Sequence, residues 1–265
     1  MKVFISADIE GVNHICNWNE TEATHPRYQE FKKQMTDEVR MACIGAKNAG
    51  ATEIYVKDAH DSALNLSIND LPEYVTLHRG WEGSLVSMMA GLDDSFDAVL
   101  FVGYHSPSRS SGNSLSHTMN TKIVHIKING KIASEFDINA LYASTLKVPV
   151  AFLSGDENLT KLVKQTNQHI ETVATKIGRF GAAISKHPTV TNTEICKTVE
   201  RALKKDLENN IVTLPKHFDI EIQYGTPKQA ISASHFPGCK LVGDDIVTFS
   251  ADNYHDVLVA LHFIL

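Results

Sequence analysis

Apolar and polar residues alternate in blocks along the first half of the chain. Lys2–Ala7 is a β-rich run that ends in Asp8-Ile9-Glu10-Gly11. Tyr28–Gly50 is made of good helix formers and closes on Asn48-Ala49-Gly50, which predicts a long helix with a C-terminal stop. Glu53–Lys57 predicts a second strand and Leu85–Ala90 a short helical piece. Ala98–Gly103 is almost continuously apolar, as expected of a strand covered on both faces. Ile123–Ile128 and Lys131–Ala133 flank Asn129-Gly130, a hairpin signal because both turn residues accept positive φ. Ile138–Leu146 reads as a helix, and Val148–Leu153 as a buried strand whose end, Gly155-Asp156-Glu157, opens another helix. Strands separated by helices predict βαβ units, hence an α/β fold with a mainly parallel sheet and flanking helices.

The texture changes from about Ile170. Thr191–Asn209 is a polar amphipathic pattern with Thr191 or Asn192 as its cap. Asp219–Tyr224 and Ile246–Ala251 alternate like half-exposed strands, and Asn253–Leu265 reads as a closing helix. The expected organisation is therefore an α/β part over residues 1–170 and a smaller C-terminal α+β part over 171–265, without repeats or low-complexity segments.

Composition narrows the functional classes. A chain of 265 residues can bury one large core or two modest ones. With 43% hydrophobic and 21% charged residues it has the make-up of a soluble globular enzyme. A net charge of -6 with no basic stripe argues against nucleic-acid binding. No uncharged apolar stretch reaches membrane-spanning length, and the apolar run before Asp8 is too short for a signal peptide. None of the four cysteines forms a C-x-x-C pair, so a thiolate zinc cluster, a redox motif and a disulfide framework are not expected. These features predict a cytoplasmic protein with no membrane partner.

The chemistry collects at strand ends. Three predicted strands terminate in Asp8-Ile9-Glu10, Asp58-Ala59-His60 and Tyr104-His105-Ser106. In an open parallel sheet the carboxyl ends share one edge, where ligands bind. Carboxylates and imidazoles are the donors expected for zinc and similar divalent ions. Residues two apart in a strand face the same side, so Asp8 and Glu10 converge if the strand continues to them. Glu135, directly after the hairpin, stands at a helix start. Each residue alone has a plainer reading. Asp-x-Glu suits a cap or turn, a lone histidine suits a structural hydrogen bond, and Glu135 suits the helix dipole. Single roles do not explain their co-location on one edge. His117 lies in a Ser-rich loop after the third of these strands, either as an exposed loop residue or as a general acid, base or transition-state stabiliser. His14 and His25 flank the irregular segment 13–27 and are expected to be solvated. No G-x-S-x-G, P-loop or dinucleotide fingerprint is present.

These residues resemble the zinc D-aminopeptidase (DppA-like) family. The resemblance rests on Ser6-Ala7-Asp8-Ile9-Glu10-Gly11, Asp58-Ala59-His60, Ala90-Gly91-Leu92-Asp93-Asp94 and Gly103-Tyr104-His105. It continues through Ser116-His117-Thr118-Met119, Glu135 with Asn139-Ala140, Gly155-Asp156 and Phe236-Pro237-Gly238, and so covers nearly the whole chain. It implies two zinc ions per chain held by Asp8, Glu10, His60, His105 and Glu135, with the aspartate bridging and His117 catalytic. It further implies hydrolysis of short peptides and amides with an N-terminal D-residue through a metal-activated water. It also implies a ring-shaped homo-oligomer, usually a decamer, with its sites on an inner channel. The segment Val12–Arg27 and Ser134, where glycine is common, depart from the family pattern. Two rival functions use the same residues: another metal-dependent hydrolase acting on phosphate esters or acyl groups, and a phospho-receiver pocket formed by Asp8, Glu10 and Asp58.

Overall fold

Strand β1 (Lys2–Ala7) alternates its side chains between two cores. Val3, Ile5 and Ala7 pack under helix α1 (Tyr28–Asn48), while Phe4 joins a second core on the opposite face. Such alternation follows from the two-residue period of a strand, and here both faces are covered. β2 (Glu53–Asp58) and β4 (Ala98–Tyr104) flank β1 in parallel. β3 (Val75–His78), β7 (Val150–Asp156) and β8 (Glu171–Arg179) add further parallel strands, and β9 (Ala182–Ser185) closes the far edge antiparallel to β8. The resulting seven-stranded order is β3-β2-β1-β4-β7-β8-β9. This is a computed structural model and it describes residues 1–265.

A second, antiparallel sheet has the order β11-β12-β10-β5-β6. It joins β5 (Ile123–Ile128) and β6 (Lys131–Ile132) to β10 (Phe218–Tyr224), β11 (Lys240–Leu241) and β12 (Ile246–Ala251). The two sheets interleave along the chain. β8, β9 and helix α4 (Pro188–Leu203) follow residue 170 and extend the first sheet's layer, whereas β5 and β6 precede it and lie in the second sheet. Helix α2 (Glu135–Thr145) leads from the β5–β6 hairpin back to β7, and α3 (Glu157–Thr166) connects β7 to β8. α5 (Pro227–Ser234) and α6 (Tyr254–Ile264) pack on the second sheet.

The expected α/β class with a mainly parallel sheet stands, and local signals explain most element limits. Asn129 and Gly130 both take positive φ, 51° and 79°, so the β5–β6 turn is of the type expected for that pair. Asp156 caps α3, and Asn253 caps α6 through Asp256 N. Two expectations shift. α4 starts at Pro188, with His187 as cap, because a proline in the first turn presets φ and needs no N–H partner. The 85–90 piece is a short 3-10 turn over Ser87–Met89. No helix is long and apolar enough to cross a membrane.

Candidate metal centre

The carboxyl ends of β1, β2 and β4 deliver their side chains to one buried pocket. β1 stops at Ala7, so the convergence of Asp8 and Glu10 comes from a turn and not from strand pleating. That turn is pinned against the end of β4. Asp8 N donates to Val102 O and Gly11 N to Gly103 O, each at 2.8 Å. The approach is so close that a Cβ on Gly11 would lie 1.7 Å from the Tyr104 carbonyl oxygen. Gly103, with φ 74°, likewise leaves no room for a side chain beside the Asp8 carbonyl.

Each remaining residue arrives by its own local device. Asp58, the last residue of β2, accepts from Asn65 N, Asn65 Nδ2 and Leu66 N, which folds the following loop back and holds His60 inward. Its carboxylate is thereby used up in the loop and does not join Asp8 and Glu10. His105 follows β4 directly. The buried Asp156 accepts from Ser106 N and Ser106 Oγ, both at 2.6 Å, and so fixes the chain just past His105. Glu135 is the first residue of α2, whose start is a capping box between Ser134 and Asp137. His117 comes from the loop after β4, which Asn113 ties to the Glu10 carbonyl.

The cluster divides about Asp8. Its Oδ1 lies 3.3 Å from His60 Nδ1, which is also 3.1 Å from Glu10 Oε2. Its Oδ2 lies 3.5 Å from His105 Nε2, which is also 3.5 Å from Glu135 Oε2. One carboxylate thus stands between two imidazoles, each with a second carboxylate. His117 Nε2 is 3.7 Å from Glu135 Oε1, and its ring stacks on that of His105 with centroids 4.4 Å apart. Donor atoms of Asp8, Glu10 and His105 lie mutually within 4.8 Å, as do those of His105, His117 and Glu135. Asp8, Glu10, His60, His105 and Glu135 are all buried.

The histidine tautomers follow from their backbone partners. His60 Nε2 faces Thr21 O at 3.2 Å, His105 Nδ1 faces Ser106 O at 2.9 Å, and His117 Nδ1 faces Leu115 O at 2.9 Å. A carbonyl oxygen only accepts, so each of these nitrogens carries a hydrogen. The other nitrogen of each ring then presents a lone pair to carboxylate oxygens. That arrangement is repulsive unless a proton or a cation lies between. His105 Nε2 and Glu10 Oε2 are buried with no hydrogen-bond partner, although Glu10 Oε2 has His60 nearby. Buried polar atoms without partners are uncommon and call for an explanation. The proton affinities express the same conflict. Burial, and then the Glu10 charge, push Asp8 up to about 8. Burial opposes charge on His105, yet Glu135 and Asp8 hold it up at about 10. His60 is raised against its burial chiefly by Glu10, while Glu10 and Glu135 are lowered by the imidazoles they face. These residues fit a divalent cation: it would replace the extra protons and relieve the carboxylate repulsion together.

The walls of the pocket come from segments that carry no recognisable motif. The irregular segment before α1 supplies Thr21, whose carbonyl orients His60, and Trp18, whose ring meets His117 edge-on at 5.4 Å. Trp81, held by Asp61 O, also lines the cavity, which measures about 350 Å³. Two tryptophans in polar, irregular segments were the available signal. His14 is exposed and His25 half-buried, and neither lines this cavity.

Comparison with known proteins places the whole chain beside D-aminopeptidases. The sequence profile of the D-aminopeptidase family matches residues 1–263. A curated relative, the D-aminopeptidase of Bacillus subtilis (strain 168), is 27% identical over 263 residues, covering 98% of this chain and 95% of its own. Among solved structures, the chain is similar to the Zn-dependent D-aminopeptidase DppA from Bacillus subtilis, described as a self-compartmentalizing protease. The TM-score is 0.91 at 27% identity, covering 100% of this chain and 98% of that one.

Proposed function

The chain belongs to the D-aminopeptidase family, and on that premise we propose that it hydrolyses short peptides and amides with an N-terminal D-residue, using two zinc ions per chain. Asp8, Glu10, His60, His105 and Glu135 would hold the ions, with Asp8 shared between them. The observation that carries this reading is the Asp8 carboxylate, which offers one oxygen to each imidazole-carboxylate pair. Imidazole and carboxylate donors with ordered outer partners are what catalytic zinc requires.

Zinc, when bound there, supplies Lewis acidity that brings a water's pKa down to about 7 and polarises the scissile carbonyl. The protein's own groups do the rest. The Thr21 and Ser106 carbonyls fix the tautomers of His60 and His105 and turn their other nitrogens toward the ligand positions. His117 keeps its Nδ1 hydrogen on Leu115 O, so Nε2 is the atom that takes up or returns a proton at the reacting group. Its stacking on His105 and edge contact with Trp18 restrict its rotation.

We extend the resemblance to a ring-shaped homo-oligomer, a decamer, in the cytoplasm. Exposed Phe180 at the β8–β9 turn and Phe263 on α6 provide apolar surface for contacts between copies. The four free cysteines suit a reducing compartment.

Metal analysis of purified protein, paired with hydrolysis of D- and L-aminoacyl amides, tests the reading. Two zinc ions per chain and a D-selective, chelator-sensitive activity are expected. Asp8→Ala should lose both ions, whereas His14→Ala should retain them. Full activity without metal would refute the proposal. Turnover of a phosphate ester but of no aminoacyl amide would select the other hydrolase.

A further inference from the structure

A second cavity, of about 950 Å³, opens beside the first, and Trp18, His117 and Thr121 line both. The two cavities carry opposite charge. Around the smaller one stand Asp8, Glu10 and Glu135 with the exposed Glu22 and Asp61, and no lysine or arginine. Around the larger one stand Arg109, Lys122 and Lys228, and no aspartate or glutamate. These three cations are exposed, and none of them enters an ion pair, in a chain of net charge -6. They come from unrelated places: the loop after β4, the residue before β5, and the first turn of α5. Only the tertiary fold brings them to one cavity.

We propose that the larger cavity is a subsite for the C-terminal carboxylate of the substrate, and that the enzyme therefore prefers free-acid short peptides to their amides. The proposal rests on the peptidase reading above. A short zwitterionic peptide carries an ammonium at one end and a carboxylate at the other. With the ions bound, Asp8, Glu10 and Glu135 are neutralised, so Glu22 and Asp61 are the acids that face the first end, and the basic cavity suits the second, which sets the peptide's direction across His117. Complementary charge of this kind orients a ligand and raises its capture more than it adds tight binding.

The discrimination is modest because the cations are exposed. One exposed pair gives roughly 1.4- to 5-fold, so the three together should give about tenfold, mainly in KM. At about 1 M salt the Debye length falls to about 3 Å, and the preference should largely disappear.

The test compares zinc-loaded protein on D-Ala-Gly-Gly and on the same tripeptide with a C-terminal amide. The variant combines Arg109→Asn, Lys122→Gln and Lys228→Gln; asparagine is used because Arg109 has φ 66°, which asparagine tolerates. Wild-type protein should favour the free acid about tenfold in kcat/KM, and the variant less than about twofold, with amide turnover and zinc content unchanged. Equal kcat/KM for the two substrates in wild type, or a preference that survives the triple substitution, overturns the subsite and leaves the peptidase reading intact. Hydrolysis of neither substrate overturns both. If the triple variant also loses amide turnover, Lys122→Glu alone decides: an unchanged acid-to-amide ratio overturns the subsite, and a fall of at least about twofold supports it.

Discussion

Glu38 is a carboxyl group in the wrong medium, and replacing it should reverse part of the protein's pH dependence. It lies on α1, fully buried, against Asn13 in the segment that follows Glu10. Its Oε1 accepts from Asn13 N at 2.9 Å and Gln34 Nε2 at 3.3 Å, while Oε2 has no partner. Burial pushes its pKa from 4.5 up to about 7, against the pull of those hydrogen bonds. The folded protein therefore keeps this proton to about pH 7, whereas the unfolded chain releases it near 4.5. Between those values the folded state binds one more proton, so stability falls as pH rises through the window. At 1.36 kcal/mol per pH unit, the loss is about 3 kcal/mol by pH 8. Glu38→Gln keeps the Oε1 acceptor and cannot ionise. Its extra unsatisfied N–H places it about 1 kcal/mol below wild type at pH 5. About 2.5 kcal/mol of that loss falls between pH 5 and 8, so the variant should overtake wild type by about 1.5 kcal/mol at pH 8, a Tm gain of roughly 3–6 °C for a chain of this size. Urea and thermal unfolding of both zinc-loaded proteins at pH 5 to 8 measure this, and the pH dependence of zinc binding cancels in the difference. Lys176, which burial lowers to about 8 and which the Glu38 charge helps to keep protonated, titrates in the upper part of this range, so the change of sign between pH 5 and 7 is the decisive reading. A stability difference that does not change with pH would refute the argument.

Three further substitutions probe the site. Gly11→Ala forces a Cβ to 1.7 Å from the Tyr104 carbonyl oxygen, and backbone lies on both sides; a loss of about 4 kcal/mol or more and poor zinc retention are expected in unfolding and metal assays. Ser134→Ala removes the α2 cap next to Glu135 and should cost about 0.5–2 kcal/mol, whereas Ser134→Gly should cost only a few tenths; equal effects in thermal melts would show that the cap is not what positions the helix start. His117→Ala should lower kcat by about 10²- to 10⁴-fold with zinc content unchanged, and His117→Gln should recover little, since an amide donates a hydrogen bond but moves no proton at neutral pH. Parallel loss of zinc and activity would make His117 a ligand, a role its position beside His105 and Glu135 also allows.

Much of this protein was legible along the chain. The β-rich run Lys2–Ala7 and the apolar run through Ala98–Gly103 mark the central strands, because a strand covered by helices must be apolar on both faces. The carboxyl-edge rule then assigns Asp8, Glu10, His60 and His105 to one crevice, since parallel strands share their ends. Asn129-Gly130 and Asn253 declared a turn and a cap through their own local hydrogen-bonding and φ preferences. Other features needed three dimensions. Asp8 and Glu10 meet through a turn that exists only because Gly11 and Gly103 let two backbones touch. Asp58 looks like a ligand in sequence, yet Asn65 and Leu66 take its oxygens. The β5–β6 hairpin pairs with β10, some ninety residues later, and such distant pairing leaves no local trace. Trp18 and Thr21 reach the site from a segment with no periodicity. The opposite charges of the adjoining cavities belong to the same class, because residues such as Glu22 and Lys228 become neighbours of one site only when the chain closes on itself. Local propensity acts over a few residues, whereas charge and packing act over ångströms, and only the folded chain converts one distance into the other.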